Sequence, residues 1–206
     1  MNNYQKEQWD ALTQIKHHLN KMGSEGVQSL EKSIVPYFHF RKALDVFLNK
    51  HFSEHCTESC FQSSVSACCS KDGIITFWAD MVINACRSTP GQTAQLFNAV
   101  RRPLKSGKCI YLGPKGCYWR IRPLVCAMFL CDAAKEAVFP LNPEAQERWH
   151  HFEQTAKSFR WPDRPVLFDH IEHLFMAAGC RSSLMYLNTS PGLLRIKQLA
   201  GVSVPE

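Results

Sequence analysis

Ten cysteines among 206 residues constrain this chain more than any other feature. They stand at Cys56, Cys60, Cys68, Cys69, Cys86, Cys109, Cys117, Cys126, Cys131 and Cys180. With 45% apolar and 20% charged residues, a chain of this length can build a core without covalent staples. The polar start, Met1 to Asp10, carries no apolar stretch of the kind an export signal needs. No run approaches the ~18 apolar residues of a membrane span; the longest candidate, Leu124 to Cys131, stops at Asp132. These features predict a cytoplasmic chain with no membrane partner, where thiols stay reduced. The cysteines therefore read as metal ligands ahead of disulfides.

The spacing forms two groups. The first is Cys56-Thr-Glu-Ser-Cys60, then seven residues, then the adjacent Cys68 and Cys69. The second is Cys109, Cys117, Cys126 and Cys131, at intervals of eight, nine and five residues. No C-x2-C occurs, which excludes a zinc ribbon, a bacterial ferredoxin run and a thioredoxin-like motif. What remains suits zinc or an iron–sulfur cluster, a 4Fe–4S cluster if the metal is iron, because both take about four soft thiolates. Eight cysteines can supply one such site with spares, or two. Cys86 beside Ala85 reads as a buried small hydrophobe, and Cys180 after Gly179 as free or buried.

Charge supports the same chemistry. From Met81 to Cys131 there is no Asp or Glu, while Arg87, Arg101, Arg102, Lys105, Lys108, Lys115, Arg120 and Arg122 all fall in that stretch. Four thiolates around one zinc ion leave a net charge of about −2. Surrounding cations offset that charge and ease thiol deprotonation. The competing explanations are a solvated basic face and a nucleic-acid footprint. The net charge of +6 and the rings of Tyr111, Tyr118 and Trp119 fit the latter, although no recognition motif accompanies them.

The segment from Lys108 to Cys126 carries a resemblance. It combines Cys109 with Tyr111-Leu112, then Gly116-Cys117, Arg122-Pro123 and Cys126, downstream of Cys56, Cys60 and Cys68-Cys69. This pattern resembles the YkgJ-type cysteine-cluster family, a zinc- or iron-chelating domain, over residues 56–131. The upstream spacing here is longer than in that family. The resemblance implies metal ligation by the two cysteine groups. Some relatives are similar to flagellin lysine methylases, which implies an iron–sulfur redox or methyltransferase-like enzyme as an alternative. No glycine-rich cofactor loop, G-x-S-x-G, P-loop or H-E-x-x-H accompanies it.

The rest of the chain reads as helix. Trp9, Leu12, Ile15 and Leu19 make one face of a helix over 4–22. Ser24 is placed to cap a second segment, Pro36 to break or kink it, and Phe40, Leu44, Phe47 and Leu48 to continue it to Phe52. Residues 55–72 read as loop with a short helical turn. Further helices are expected over 74–87, from Thr89-Pro90 to before Pro103, over 124–139, from Asn142-Pro143 to Trp161-Pro162, over 169–179 and over 191–201. Residues 105–123, with Gly107, Gly113-Pro114 and Gly116, read as loop and turn.

The expected architecture is mainly α: a helical bundle-like single domain over 1–206 with an irregular cysteine-rich metal-binding insert over 56–131. Pro123 as a first helical residue would put Cys126 in a helix's first turn, where free N–H groups favour a thiolate. Cys131 would lie about 140° further round that helix. His55 is placed to join a mixed shell. His170 and His173, with Asp169 and Glu172, form a second candidate metal site, against the commoner reading of surface histidines, which also covers His150-His151.

Overall fold

The computed structural model describes residues 1–70, 75–103, 107–160, 164–189, 195 and 198–201. Asn2 starts the first helix with a reciprocal cap. Its side chain accepts from the Gln5 N–H at 2.8 Å, and Gln5 Oε1 accepts from the Asn2 N–H at 3.0 Å. The helix, α1, runs from Asn3 to Phe52 with one interruption, at Gly23, whose φ of 70° and ψ of 174° are not helical. The break expected at Ser24 thus sits one residue earlier, at the residue without a Cβ. Pro36 does not break the helix. It is exposed, so the Lys32 carbonyl that loses its donor there can turn to water.

The apolar stripe of α1 is the wall against which the other helices pack. These are α2 (Trp78–Arg87), α3 (Pro90–Arg101), α6 (Pro143–Arg160) and α7 (Leu167–Ala177). Aromatic rings meet edge-on or tilted along it. Tyr37 lies 5.1 Å from Phe159, Phe40 5.2 Å from Phe159, and Phe47 5.3 Å from Phe152. Trp9 meets Phe97 of α3 at 4.8 Å, and Trp78 of α2 meets Phe175 of α7 at 5.6 Å. Such pairs add stability beyond the area they bury. The expected caps are present: Thr89 accepts from the Gln92 N–H, and Asn142 accepts from the Ala145 N–H at 3.0 Å.

Among the described residues, strand is limited to one small hairpin, β1 (Leu112–Gly113) paired antiparallel with β2 (Gly116–Cys117). Gly116 has φ of 109°, which the turn after Pro114-Lys115 requires of it. Gly113 is close beneath the Tyr118 ring, and a Cβ there would fall 2.5 Å from it.

Two local expectations need correction. The short helical turn expected within 55–72 is longer than that reading and π-helical: it covers 53–61 and prolongs α1, closed by wide bonds such as Gln62 N–H to Thr57 O at 2.9 Å. The helix expected over 124–139 is two: α4 (Leu124–Ala127) and α5 (Asp132–Val138), with Cys131 as the cap residue of the second. The helix expected over 191–201 falls largely outside the described residues, as do Lys105, Ile74 and Trp161-Pro162. A last short helix, α8, covers Tyr186–Thr189. No helix among the described residues is long and apolar enough to cross a membrane.

Candidate metal centre

The π-helical turn carries Cys56 and Cys60. With bonds spanning five residues, a four-residue step returns to nearly the same face. The chain then reverses through Ser64 and Ser66, both at positive φ, so that the Val65 and Ser66 N–H groups donate to Cys60 O at 3.0 and 3.1 Å. Lys108 fastens this reversal from the other stretch, donating its ammonium to Val65 O and, at 3.3 Å, to Ser66 O. Cys109 N–H donates to Cys69 O at 2.9 Å, beside a bridge between Ser70 and Lys108. The two distant cysteine stretches therefore touch through their backbones.

Buried polar side chains from α1 and α2 hold the downstream stretch against the helical body. Tyr111 O–H donates to Gln8 Oε1 at 2.7 Å, and Gln8 also pairs with Thr76. Asn84 Oδ1 accepts from the Ile121 N–H at 2.8 Å. Asp80 accepts from Leu124 N–H at 2.9 Å and from Phe77 N–H at 3.2 Å. Arg41 donates to Arg122 O and to the Tyr37 hydroxyl. These residues were not singled out from sequence. The readable signal was polar residues set within an apolar helix, as Asp80 and Asn84 are within Trp78–Arg87.

The eight candidate ligands, Cys56, Cys60, Cys68, Cys69, Cys109, Cys117, Cys126 and Cys131, lie in one electrostatic neighbourhood, and all ten cysteines are free thiols. Burial pushes Cys109 up to about 11, with the Cys117 and Cys68 thiols adding to the rise. Burial likewise pushes Cys126 up to about 12, reinforced by Cys117 and Cys109. The thiolate expected at Cys126 from the helix start is thus outweighed. Pro123 is the cap residue of α4 rather than its first helical residue, and the free Leu124 N–H is spent on Asp80. Cys117 is exposed as a residue, yet its sulfur is shielded enough that desolvation raises it. Cys68 and Cys69 titrate as a unit. Their mutual S–H···S bond favours the Cys68 thiolate and drives Cys69 up.

Arg122 stands among these sulfurs. Its charge opposes the burial-driven rise at Cys56, Cys117 and Cys126. It also pairs loosely with Asp45, at 3.8 Å. Tyr4, another residue not anticipated, brings its hydroxyl close to Cys109 and Cys126. Burial and these two thiols raise it well above the usual phenol range. That hydroxyl is buried and has no hydrogen-bond partner among the described residues.

Cys131 joins the neighbourhood through Cys56. The argument from its angle on the Cys126 helix fails because that helix ends at Ala127. Cys86 is half-buried on α2, pushed up to about 11 by burial, and Cys180 is buried behind α7. Among the described residues, no three His, Cys, Asp or Glu side chains are drawn close enough together to hold a metal ion as they stand.

Other sequence candidates are accounted for differently. Asp169 accepts from Val166 N–H and the Tyr186 hydroxyl, and Glu172 from Tyr186 and Leu187 N–H at 3.3 and 3.0 Å, so both carboxylates are turned inward as braces for α8. His170 is exposed, so these four residues do not assemble a second site. Tyr111 and Trp119 are buried and face each other edge-on at 5.3 Å, which removes them as a stacking surface for bases. Arg87, Arg101 and Arg102 lie over Phe38, Trp9 and Tyr118, with 4.0, 4.2 and 4.7 Å to the ring centroids. A depression of about 390 Å³ opens beside Cys117, lined by Gln92, Gln95, Lys115, Trp119 and Arg120 among others. No family model, curated protein or solved structure matches the chain.

Proposed function

We propose that the protein binds zinc or an iron–sulfur cluster through Cys56, Cys60, Cys68, Cys69, Cys109, Cys117, Cys126 and Cys131, as the YkgJ-type resemblance implies. The observation that supports this reading is the backbone contact between two stretches of free cysteines about forty residues apart. The donor set fits. All eight are soft ligands, Arg122 offsets the charge they would carry as thiolates, and Tyr4 offers a buried hydroxyl with no acceptor. A buried unpaired donor calls for an explanation, and a metal-bound thiolate is a far better acceptor than a neutral thiol. The raised thiols are also those that a cation would deprotonate, so loading releases protons and draws the sulfurs inward. Bound zinc would pin the two stretches to the helical body; a bound iron–sulfur cluster would add electron transfer.

Anaerobic purification followed by elemental analysis tests the reading. A brown, oxygen-sensitive sample containing iron and sulfide identifies the cluster, and a colourless sample with stoichiometric zinc identifies zinc. Protein that retains neither metal, and takes up neither on reconstitution under reducing conditions, refutes the proposal.

A further inference from the structure

Resting on the metal-binding reading, we infer that the eight cysteines form two four-sulfur sites that meet at the adjacent pair. One comprises Cys56, Cys60, Cys68 and Cys131, and the other Cys69, Cys109, Cys117 and Cys126.

Backbone geometry separates the first three members of each set, and Cys131 and Cys126 follow from the thiols they act on. In the first, Cys56 and Cys60 share the π-helical turn, and the reversal that bonds Val65 and Ser66 to Cys60 O also brings the Ala67 N–H to 3.4 Å from Cys60 Sγ. That returns Cys68, the next residue, to the Cys60 side. Cys131 is the cap residue at the start of α5 and belongs with this set because it is the thiol that acts most on Cys56. In the second set, Cys69 is joined to Cys109 by the backbone bond already described. The Leu112 N–H then closes a turn onto Cys109 O at 3.0 Å, and hairpin register sets Cys117 opposite Leu112. Cys126 is held on α4 by Asp80, and both Cys109 and Cys126 act electrostatically on the Tyr4 hydroxyl.

Mutual influence among the thiols follows the same division. Cys56 feels Cys131, Cys68 and Cys60; Cys126 feels Cys117 and Cys109; Cys69 feels Cys109 and Cys117 as well as its neighbour. The links across the divide run through Cys68, to Cys69 and to Cys109. Cys68 and Cys69 therefore stand at the boundary, one for each site, which explains why the chain places two cysteines side by side. Each site then holds four thiolates, the number that closes a tetrahedral zinc shell or ligates one 4Fe–4S cluster.

The test is a count on the full chain. Metal-free protein is loaded with zinc under reducing conditions, freed of excess and analysed, and the cadmium-113 form is examined by NMR. Two zinc ions per chain and two cadmium resonances in the four-sulfur range are expected. The Cys56→Ser/Cys60→Ser variant should keep one zinc and lose one resonance, and Cys117→Ser/Cys126→Ser should lose the other. One zinc per wild-type chain overturns the division while leaving metal binding intact; none overturns the metal reading itself. A folded pair variant, checked by circular dichroism, that loses both ions also overturns the division. If a pair variant does not fold, the wild-type zinc count and number of resonances decide alone.

Discussion

The helical body and the cysteine-bearing face are held by different physics. In the body, α1, α2, α6 and α7 close over rings such as Phe168 and Phe175, both fully buried. Burial of this kind is non-directional and scales with area, so the body needs no specific partner to be stable. The cysteine-bearing face has a π-helical turn, a hairpin of two-residue strands and a four-residue helix. Elements that short cannot sustain themselves. They are anchored by a few buried side chains, Tyr111, Trp119 and Leu124, and located by directional bonds from buried polar side chains, Gln8, Arg41, Asp80 and Asn84, that reach out of the body. Hydrophobic packing sets where the scaffold is, and single hydrogen bonds set where the sulfurs are.

The largest effect that would separate the two regions is a core truncation. Phe175→Ala removes a ring that meets Trp78 at 5.6 Å and His18 at 4.8 Å. It should cost about 3–5 kcal/mol in chemical denaturation. Metal bound per folded molecule should not change. Cys117→Ser in metal-free protein, at an exposed residue, should by contrast stay within about 0.5 kcal/mol of wild type. Comparable losses from both substitutions would break the comparison.

The same division decides what could be read from the sequence. The helices of the body were legible because a buried stripe forces apolar residues to recur every three or four positions, and because Thr89 and Asn142 use side chains suited to capping. The cysteine-bearing face imposes no such period. A π-helical turn closes on i→i+5 bonds, so its residues fit neither the helical nor the strand repeat, and the Ser- and Cys-rich 53–61 segment hid it further. The gap between α4 and α5 was invisible because Met128, Phe129 and Leu130 keep the apolar run going after the helix ends. The eight cysteines were legible as a set from composition and spacing. Their grouping depends on bonds such as Cys109 to Cys69 that join residues forty apart, and Tyr4 reaches them from the opposite end of the chain.

A medium effect probes the joint between the regions. Asp80 is fully buried and accepts N–H groups from both Phe77 of the body and Leu124 of the cysteine-bearing face. Burial raises its carboxyl to about 6, with the two N–H bonds pulling the other way. The folded protein thus holds this proton more tightly than the unfolded chain, whose aspartates titrate near ~4. Stability must therefore fall as pH rises from about 4 to about 6, and level off above. Asp80→Asn should abolish that slope. At pH 7 it should also cost about 1–3 kcal/mol, because the amide can accept from only one of the two N–H groups and turns its own donors toward the other. Denaturation curves at several pH values check both. A slope unchanged in the variant would assign the titration to another group.

The smallest effect asks whether the face opens independently of the body. Gly116 sits at φ of 109° with nothing within 4 Å of where a Cβ would be, so Gly116→Ala adds backbone strain without a clash. That strain is about 1–2 kcal/mol. If the hairpin opens locally, the cost appears there. Exchange of the Tyr118 amide, which donates to Tyr111 O at 2.9 Å, should speed up roughly tenfold, since each 1.4 kcal/mol is a factor of ten. Amides in the middle of α6 and α7 should start from much higher protection in the wild type, and the overall stability should fall by the same about 1–2 kcal/mol, because the strain is relieved in every state with the hairpin open. Gly113→Ala gives the complementary case, because its Cβ would strike the Tyr118 ring at 2.5 Å and must push it aside. Wild-type protection of the Tyr118 amide as high as that of α6 and α7 would mean that the hairpin unfolds only with the whole molecule, and that its hydrogen bonds fix the sulfurs as firmly as packing fixes the helices.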